Sequence, residues 1–345
     1  MRPCLLNMTR YANILVTGAS GGLGKQIIYQ LVKDGVRPIA LVRKSSNTSY
    51  IDSLGLERRY ADLRDPKALR QSVEGVDAII HTAAIVKFHG SGLTQQTGIN
   101  VMGALTLFRA AQSAGVKRFL QLSSIVAVGA VHRKTSRGAL VDESAEYNLR
   151  HLHIPYIMTK RAAEDELLQA AKSGTAELVI VCPSINIAPS RTGDDRTKSR
   201  KTLGRAVLPR IANLLNLIDI RDSVRGMVAA LHRGRAGERY LLCGDNIPIT
   251  DLIRMASEIA GTHPMLIPVP KWVVMSAARG AKLFHTLSGG SKLRFYPDLV
   301  RLADYDWAYS SEKARRELGF TTRPLRESLT DLLTNDFRGT WQKPE

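Results

Sequence analysis

Residues 14–27 read ILVTGASGGLGKQI. Ile14, Leu15 and Val16 form an apolar run without polar alternation, the pattern of a strand buried on both faces. Gly18, Gly21 and Gly24 follow at a spacing of three. A helical pattern then runs through KQIIYQLVKDG until Gly35 stops it. A strand, a glycine turn and a helix in that order allow backbone to approach a pyrophosphate closely. The helix N-terminus adds unpaired N–H groups and a partial positive charge. In that setting Gly18, Ser20, Gly21, Gly22, Leu23 and Gly24 form a dinucleotide cradle.

Outward from the cradle, the same rhythm repeats. PIALVR (38–43), VDAIIHTAA (76–84), KRFLQLSS (117–124) and ELVIVCP (177–183) read as further buried strands. Helices separate them, one with Pro66 at its start and a long one over roughly 93–114 ended by Gly115. Strands apolar on both faces and alternating with helices predict an α/β fold: a Rossmann-type, doubly wound parallel sheet. After about Pro183 the rhythm breaks. We expect residues 1–189 to form the dinucleotide-binding domain, with 216–246 returning to it. Residues 190–215 and 247–345 form a smaller, mostly helical C-terminal substrate lobe. No internal repeat or low-complexity tract is present.

The chain has 345 residues, 44% of them hydrophobic, enough for one large core with a smaller partner. No apolar run reaches the length of a membrane span, and the segment MRPCLLNMTRYANILV is too interrupted for a secretion signal. Cys4, Cys182 and Cys243 lack metal-ligand or disulfide spacing, so a reducing, cytoplasmic setting is expected. The formal net charge is +18, from 49 basic and 31 acidic residues. It concentrates in SRTGDDRTKSRKTLGRAVLPR (190–210), with smaller clusters at 132–137 and 279–294. Such a field attracts phosphates or an anionic membrane surface. Nucleic acid is not expected, because aromatics are 6% and no basic run interleaves stacking residues.

At the end of the second strand, where a ribose-binding acid would signal NAD(H), stand Arg43 and Lys44. A guanidinium and an ammonium suit a 2′-phosphate, so NADP(H) is favoured and NAD(H) is the alternative. Further along, HIPYIMTKRAAEDELL (153–168) sets Tyr156 four residues before Lys160, on one helix face. A nearby ammonium and an oxidised nicotinamide are expected to lower the phenol toward neutrality. His151 and His153 are two apart in a loop, and no metal is expected from them.

These motifs together resemble the extended short-chain dehydrogenases/reductases, the NAD-dependent epimerase/dehydratase superfamily. TGASGGLG resembles that superfamily's nucleotide motif. YADLRDP implies Asp62 near the adenine with Leu63 beside it. HTAA implies Thr82, Ala83 and Ala84 lining the cofactor. YIMTK supplies Tyr156 and Lys160, and VIVCPSINIAP implies Pro183 and Ile185 beside the nicotinamide. The likeness spans nearly the whole chain. It is strongest to the branch holding 3β-hydroxysteroid dehydrogenases, dihydroflavonol reductases and hopanoid-associated sugar-epimerase-like proteins.

The resemblance implies that Tyr156 exchanges a proton with the reacting oxygen and that Lys160 holds the nicotinamide ribose. It implies Ser124 as the residue bonding that oxygen, five places before Gly129, with Ser123 as the competitor. Dehydratases of the superfamily carry an acidic pair after this serine; here Ile125 and Val126 stand there, which disfavours water elimination. The expected reaction is carbonyl–alcohol interconversion on a small hydrophobic substrate, sterol-like or ketoacyl-like. A nucleotide-sugar epimerase with tightly held NAD and a non-catalytic nucleotide sensor are the alternatives. WVVMSAARGAKLF (272–284) is read as a helix, either packed in the core or facing the site or a lipid surface. Peripheral membrane contact is expected from it, and a homodimer through 94–114 and 155–172 from the resemblance.

Overall fold

The computed structural model describes residues 10–87, 92–134, 138–188, 202–211, 213–269, 272–273, 276 and 300–334. The chain first lays down β1 (Ile14–Thr17), α1 (Gly22–Lys33), β2 (Ile39–Val42), α2 (Ser49–Ser53), β3 (Arg58–Tyr60), α3 (Pro66–Ser72) and β4 (Ala78–His81). There follow α4 (Leu93–Gln96), a π-helical turn (Thr97–Gly103), α5 (Ala104–Ser113), β5 (Arg118–Leu122), β6 (Val131–His132), α6 (Pro155–Ala171) and β7 (Glu177–Pro183).

Local chemistry sets the element ends. Pro66 opens α3, where its missing N–H costs nothing, and the Asp65 carboxylate accepts from the N–H groups of Lys67 and Ala68, both at 3.0 Å. Pro155 does the same for α6. Gly35 and Gly115 sit just past α1 and α5 with φ of 82° and 74°, a left-handed turn that a side chain would strain.

The rest of the chain contributes β8 (Ile185–Ile187), β9 (Val207–Arg210), β10 (Leu214–Asp219), α7 (Ile220–Arg233), β11 (Arg239–Leu242), β12 (Asp245–Pro248), α8 (Ile249–Ala260) and β13 (Met265–Pro268). It closes with β14 (Tyr305–Asp306), α9 (Glu312–Leu318) and α10 (Leu325–Thr334). Seven strands form the main sheet in the order β11-β7-β5-β4-β1-β2-β3, every neighbouring pair parallel. This is the doubly wound Rossmann-type sheet expected from the sequence. Chain order reverses between β4 and β1, which opens a crevice at the carboxyl ends of those strands.

Both faces of the sheet are covered, and side-chain alternation along each strand decides which residue goes where. Ile14 and Val16 pack with Ile27, Ile28 and Leu31 of α1 and with Val224 and Met227 of α7. Leu15 packs the other way, with Leu69 of α3 and Leu107 and Phe108 of α5. All of these are fully buried.

Three smaller sheets stand apart. β10 pairs parallel with β8 and antiparallel with β12; β9 pairs parallel with β13; β14 pairs antiparallel with β6. Of the strands after β7, β11 alone joins the main sheet. The mostly helical C-terminal region expected from the sequence is present in α8, α9 and α10, with the short strand β13 following Pro264 and pairing with β9. The basic stretch 190–201, the cluster 279–294 and most of 272–284 lie outside the described residues.

The later chain is tied back firmly. Tyr309 Oη donates to the carbonyl of Gly129 at 2.6 Å, in the loop following β5, and Ser311 Oγ donates to Cys243 O at 2.8 Å. Asp222, fully buried in α7, takes the Arg323 backbone N–H at 2.7 Å and its guanidinium at 3.0 Å, and Arg221 bridges Asp219 and Asp331 at 2.7 and 2.6 Å.

Candidate active site

The cradle forms at the carboxyl end of β1. Gly18 has φ of 66°, and a Cβ there would meet Thr82 Oγ1 at 2.7 Å and Ala83 N at 3.0 Å. A Cβ at Gly24 would stand 2.2 Å from the Gly18 carbonyl oxygen, which neither backbone could relieve. The Gly21 N–H donates to Gly18 O at 2.8 Å and closes the turn. Helix α1 then begins without any side chain capping it, so its first N–H groups face the turn unclaimed. This combination fits a pyrophosphate: close backbone approach, with donors at a helix N-terminus.

The neighbouring strand ends are locked by Thr17 and His81, which the sequence reading did not single out, acting on Thr82 and Ala83, which it did. Thr17 Oγ1 lies 2.7 Å from His81 Nδ1 and accepts the N–H groups of Thr82 and Ala83, both at 3.1 Å. Thr82 Oγ1 in turn donates to Thr17 O at 2.7 Å. Burial, reinforced by the Lys160 charge, pushes His81 down to about 3, so it is neutral in the fold. Asn100, on the π-helical turn, accepts the Ile85 N–H at 2.7 Å and donates to Ile85 O at 3.0 Å and Thr159 Oγ1 at 3.2 Å. It thereby clamps the chain leaving β4 against α6, one residue before Lys160. The wide π turn aims it there; nothing in the local composition signals such a turn.

Arg43 and Lys44 are exposed at the end of β2. Asp62 is engaged by Arg64, through Nε at 2.8 Å and the backbone N–H at 2.9 Å. The Arg64 hydrogen bond, with Arg43 adding its charge, holds that carboxyl down at about 2. Leu63 packs against Gly103, where a Cβ would come within 2.8 Å of its own.

Ser124, Tyr156 and Lys160 converge on the crevice. The Tyr156 phenol shares a hydrogen bond with Ser124, whose Oγ also lies 3.5 Å from the Val126 N–H. Ser123 lines the same cavity, but its Oγ is buried with no hydrogen-bond partner. Lys160 Nζ donates to the Leu122 carbonyl at 2.9 Å. Burial pushes the Tyr156 phenol up from its ordinary value and outweighs the Ser124 bond, which pulls it down. The phenol sits in a largely apolar wall and the Lys160 ammonium is turned to the Leu122 carbonyl; the lowering expected beside an oxidised nicotinamide concerns the coenzyme-bound protein. Burial likewise lowers Lys160 to about 8, with Glu164 partly opposing the fall.

One turn beyond Lys160, Glu164 is fully buried, paired with Arg239 of β11 at 2.8 Å and accepting from Cys182 Sγ at 3.4 Å. Its spacing from Lys160 was visible in the sequence. Its guanidinium partner, 75 residues away on another strand, was not. His151 is bound elsewhere, its Nε2 3.1 Å from Tyr305 Oη, and His153 is exposed.

The site opens on a cavity of about 560 Å³. It is lined by Leu23, Thr82, Ala84, Val86, Leu122, Pro183, Ser184, Ile185, Asn186, Ile211, Leu215, Ile249, Leu302, Tyr305 and Trp307, besides the three converging residues. Ile125 and Val126 line it where an acidic pair would be needed for water elimination. Among the described lining residues Lys160 alone carries a charge. Asn213 also lines it, but its amide is spent on the Ala303 and Tyr305 carbonyls, both at 2.8 Å.

The family model described as "NAD dependent epimerase/dehydratase family" matches residues 14–243. The chain is 28% identical over 333 residues to sterol demethylase protein B of Methylococcus capsulatus, covering 92% of this chain and 96% of that one. It is 27% identical to a ceramide reductase of Caulobacter vibrioides, over 86% of each. Among solved structures, that of gox2253 superimposes with a TM-score of 0.79 at 29% identity, over 95% of this chain and 99% of that one.

Proposed function

The chain belongs to the NAD-dependent epimerase/dehydratase family, the extended short-chain dehydrogenases/reductases, and is an NAD(P)-dependent oxidoreductase; on that premise we propose that it interconverts a carbonyl and a secondary alcohol on a hydrophobic, sterol-like or ketoacyl-like substrate, with NADP(H) as coenzyme. The observation that carries this reading is the cavity wall: Leu23, Val86, Leu122, Ile185, Ile211, Leu215, Ile249, Leu302 and Trp307 make it mainly apolar, its polar groups are the hydroxyls and amides of residues such as Thr82, Ser124, Ser184, Asn186 and Asn213, and Lys160 is the one charge among the described lining residues. A nucleotide sugar brings a diphosphate and needs cations in its pocket. A sterol or acyl chain gains from apolar burial, at about 25 cal/mol per Å². The printed names of the sterol and ceramide relatives point the same way.

In this reading the cradle residues Gly18 to Gly24 hold the pyrophosphate, and Asp62, Leu63 and Thr82 to Ala84 flank the adenosine side. Pro183 and Ile185 border the nicotinamide, and Arg43 and Lys44 meet the 2′-phosphate. When bound, the coenzyme supplies or accepts the hydride. Ser124 donates a hydrogen bond to the substrate oxygen and fixes it beside Tyr156. Tyr156 delivers its proton to that oxygen during reduction and removes it during oxidation. A phenol raised by burial stays protonated at neutrality, which suits it to the reductive direction. Lys160, held on Leu122 O and backed by Glu164, keeps a positive charge next to the phenolate that forms.

The test is a panel of sterol ketones, β-ketoacyl esters, flavonoid-type ketones and sugar nucleotides, followed at the reduced-nicotinamide absorbance band with each coenzyme. Turnover of a lipophilic ketone with NADPH preferred is the expected result. Turnover restricted to sugar nucleotides, by protein already carrying NAD(H), would replace the reading with an epimerase. Equal use of both coenzymes would remove the role given to Arg43 and Lys44.

A further inference from the structure

Half of the exposed large apolar side chains among the described residues fall in one small region, the β9–β13 ribbon and the residues just after it. Met265 is opposite Val207 across the ribbon, and Ile267 is two residues on, so all three point to one side. They are 65%, 45% and 41% exposed, whereas Leu208, pointing the other way, is 6% exposed and belongs to the interior. Val269, Val273 and Trp272, the last 72% exposed, continue the apolar stretch. A sided apolar face left open to water calls for a covering partner.

Its surroundings say which. Exposed Arg205 precedes β9, and exposed Arg210 ends it. In sequence, 190–210, which runs into β9, carries seven lysines and arginines against two aspartates. A second copy of a chain with formal charge +18 would bring like charges together. Nucleic acid would leave the aliphatic face unused. An apolar face edged by cations matches the boundary between acyl chains and anionic headgroups. We propose that the outer face of the β9–β13 ribbon docks on an anionic lipid surface, with Met265, Ile267, Val207 and Trp272 entering the headgroup boundary and Arg205, at its edge, meeting phosphates.

The ribbon also leads to the cavity. Ile211, the residue after β9, lines it, so at strand rise Val207 lies about 13 Å from the cavity wall. A lipophilic substrate leaving the bilayer there would have a short path inward. That consequence rests on the proposed function; the docking does not.

The experiment is co-sedimentation of the full chain with vesicles of phosphatidylcholine, alone or mixed with phosphatidylglycerol. Wild type should sediment with the mixed vesicles, more weakly as salt rises, and with a blue shift of tryptophan fluorescence that Trp272→Phe removes. Met265→Asp with Ile267→Asp should lower the partition at least tenfold, and Arg205→Glu should lower it and weaken its salt dependence. Met265→Ser with Ile267→Ser, checked by an unchanged unfolding midpoint, separates docking from folding. Three results would overturn the proposal: no sedimentation with anionic vesicles, equal sedimentation of the aspartate variant, or a wild-type dimer that the aspartate variant converts to monomer. The last would make the face a contact between copies. Loss of ketone turnover with docking intact would instead count against the proposed function.

Discussion

Strands β1 and β13 are both four residues long and both almost wholly apolar, ILVT and MLIP, yet one is entirely buried and the other largely exposed. The difference lies in what the chain supplies around them. β1 is central, with strands on each side and helices on each face, so each of its side chains finds an apolar neighbour. β13 has a single partner strand and a single covered face. Hydrophobic sequence therefore specifies burial, but not which molecule provides it. In the sheet the described chain covers the strand itself; at the ribbon the described residues leave one face open, which the proposed lipid surface would cover.

The contrast can be broken by experiment, and the largest effect belongs to the crevice above the sheet. Tyr156→Phe keeps the ring and its packing and removes the proton, so turnover should fall about 10²- to 10⁴-fold with the unfolding midpoint nearly unchanged. A loss of under tenfold would take the phenol out of the chemistry. Next, Glu164→Ala should cost about 3–5 kcal/mol of stability in urea titration, because it strands the Arg239 guanidinium in the interior. Leu15→Ala, in fully buried β1, should cost about 2–5 kcal/mol.

A smaller effect comes from pH. His81 is neutral in the fold, with its pKa lowered from 6.5 to about 3, while in the unfolded chain it takes a proton near 6.5. The unfolded state therefore binds more protons in that window, and stability falls as pH drops through it, by up to about 1.4 kcal/mol per unit. Replacing His81 by Gln should flatten the decline in the urea midpoint between pH 6.5 and 5. Arg43→Ala should raise the KM for NADPH about tenfold, near 1.4 kcal/mol, and leave that for NADH almost unmoved. Smallest of all, Ile267→Ala on the open face should change stability by less than about 0.5 kcal/mol. A loss comparable to that of Leu15→Ala would show that the ribbon is internal core after all and erase the contrast.

Legibility followed the same division. The strand–turn–helix at 14–35 could be read because its glycines, apolar run and helix pattern are all local and agree with one another. Tyr156 and Lys160 were visible for the same reason, since i and i+4 on a helix must share a face. Asn100, Thr17 and Arg239 were not, because each acts on a group brought near only by the folded topology: Ile85, the β4 terminus and Glu164. Strands β9 and β13 were hidden by proline. Pro264 and Pro268 look like loop punctuation until the 58-residue separation of Val207 and Met265 is closed by pairing. The burial that raises Tyr156 was not legible either, because spacing shows the ammonium and not the wall around the phenol.

The bond from Tyr309 to the Gly129 carbonyl, with β14 laid against β6, has a consequence for how the protein is made. The loop after Ser124 cannot take its final form until residue 309 has left the ribosome. The nascent chain, with its nucleotide cradle long since synthesised, gains this tie only once synthesis has passed residue 309. A premature stop before Tyr309 would leave the loop after Ser124 without its Gly129 anchor.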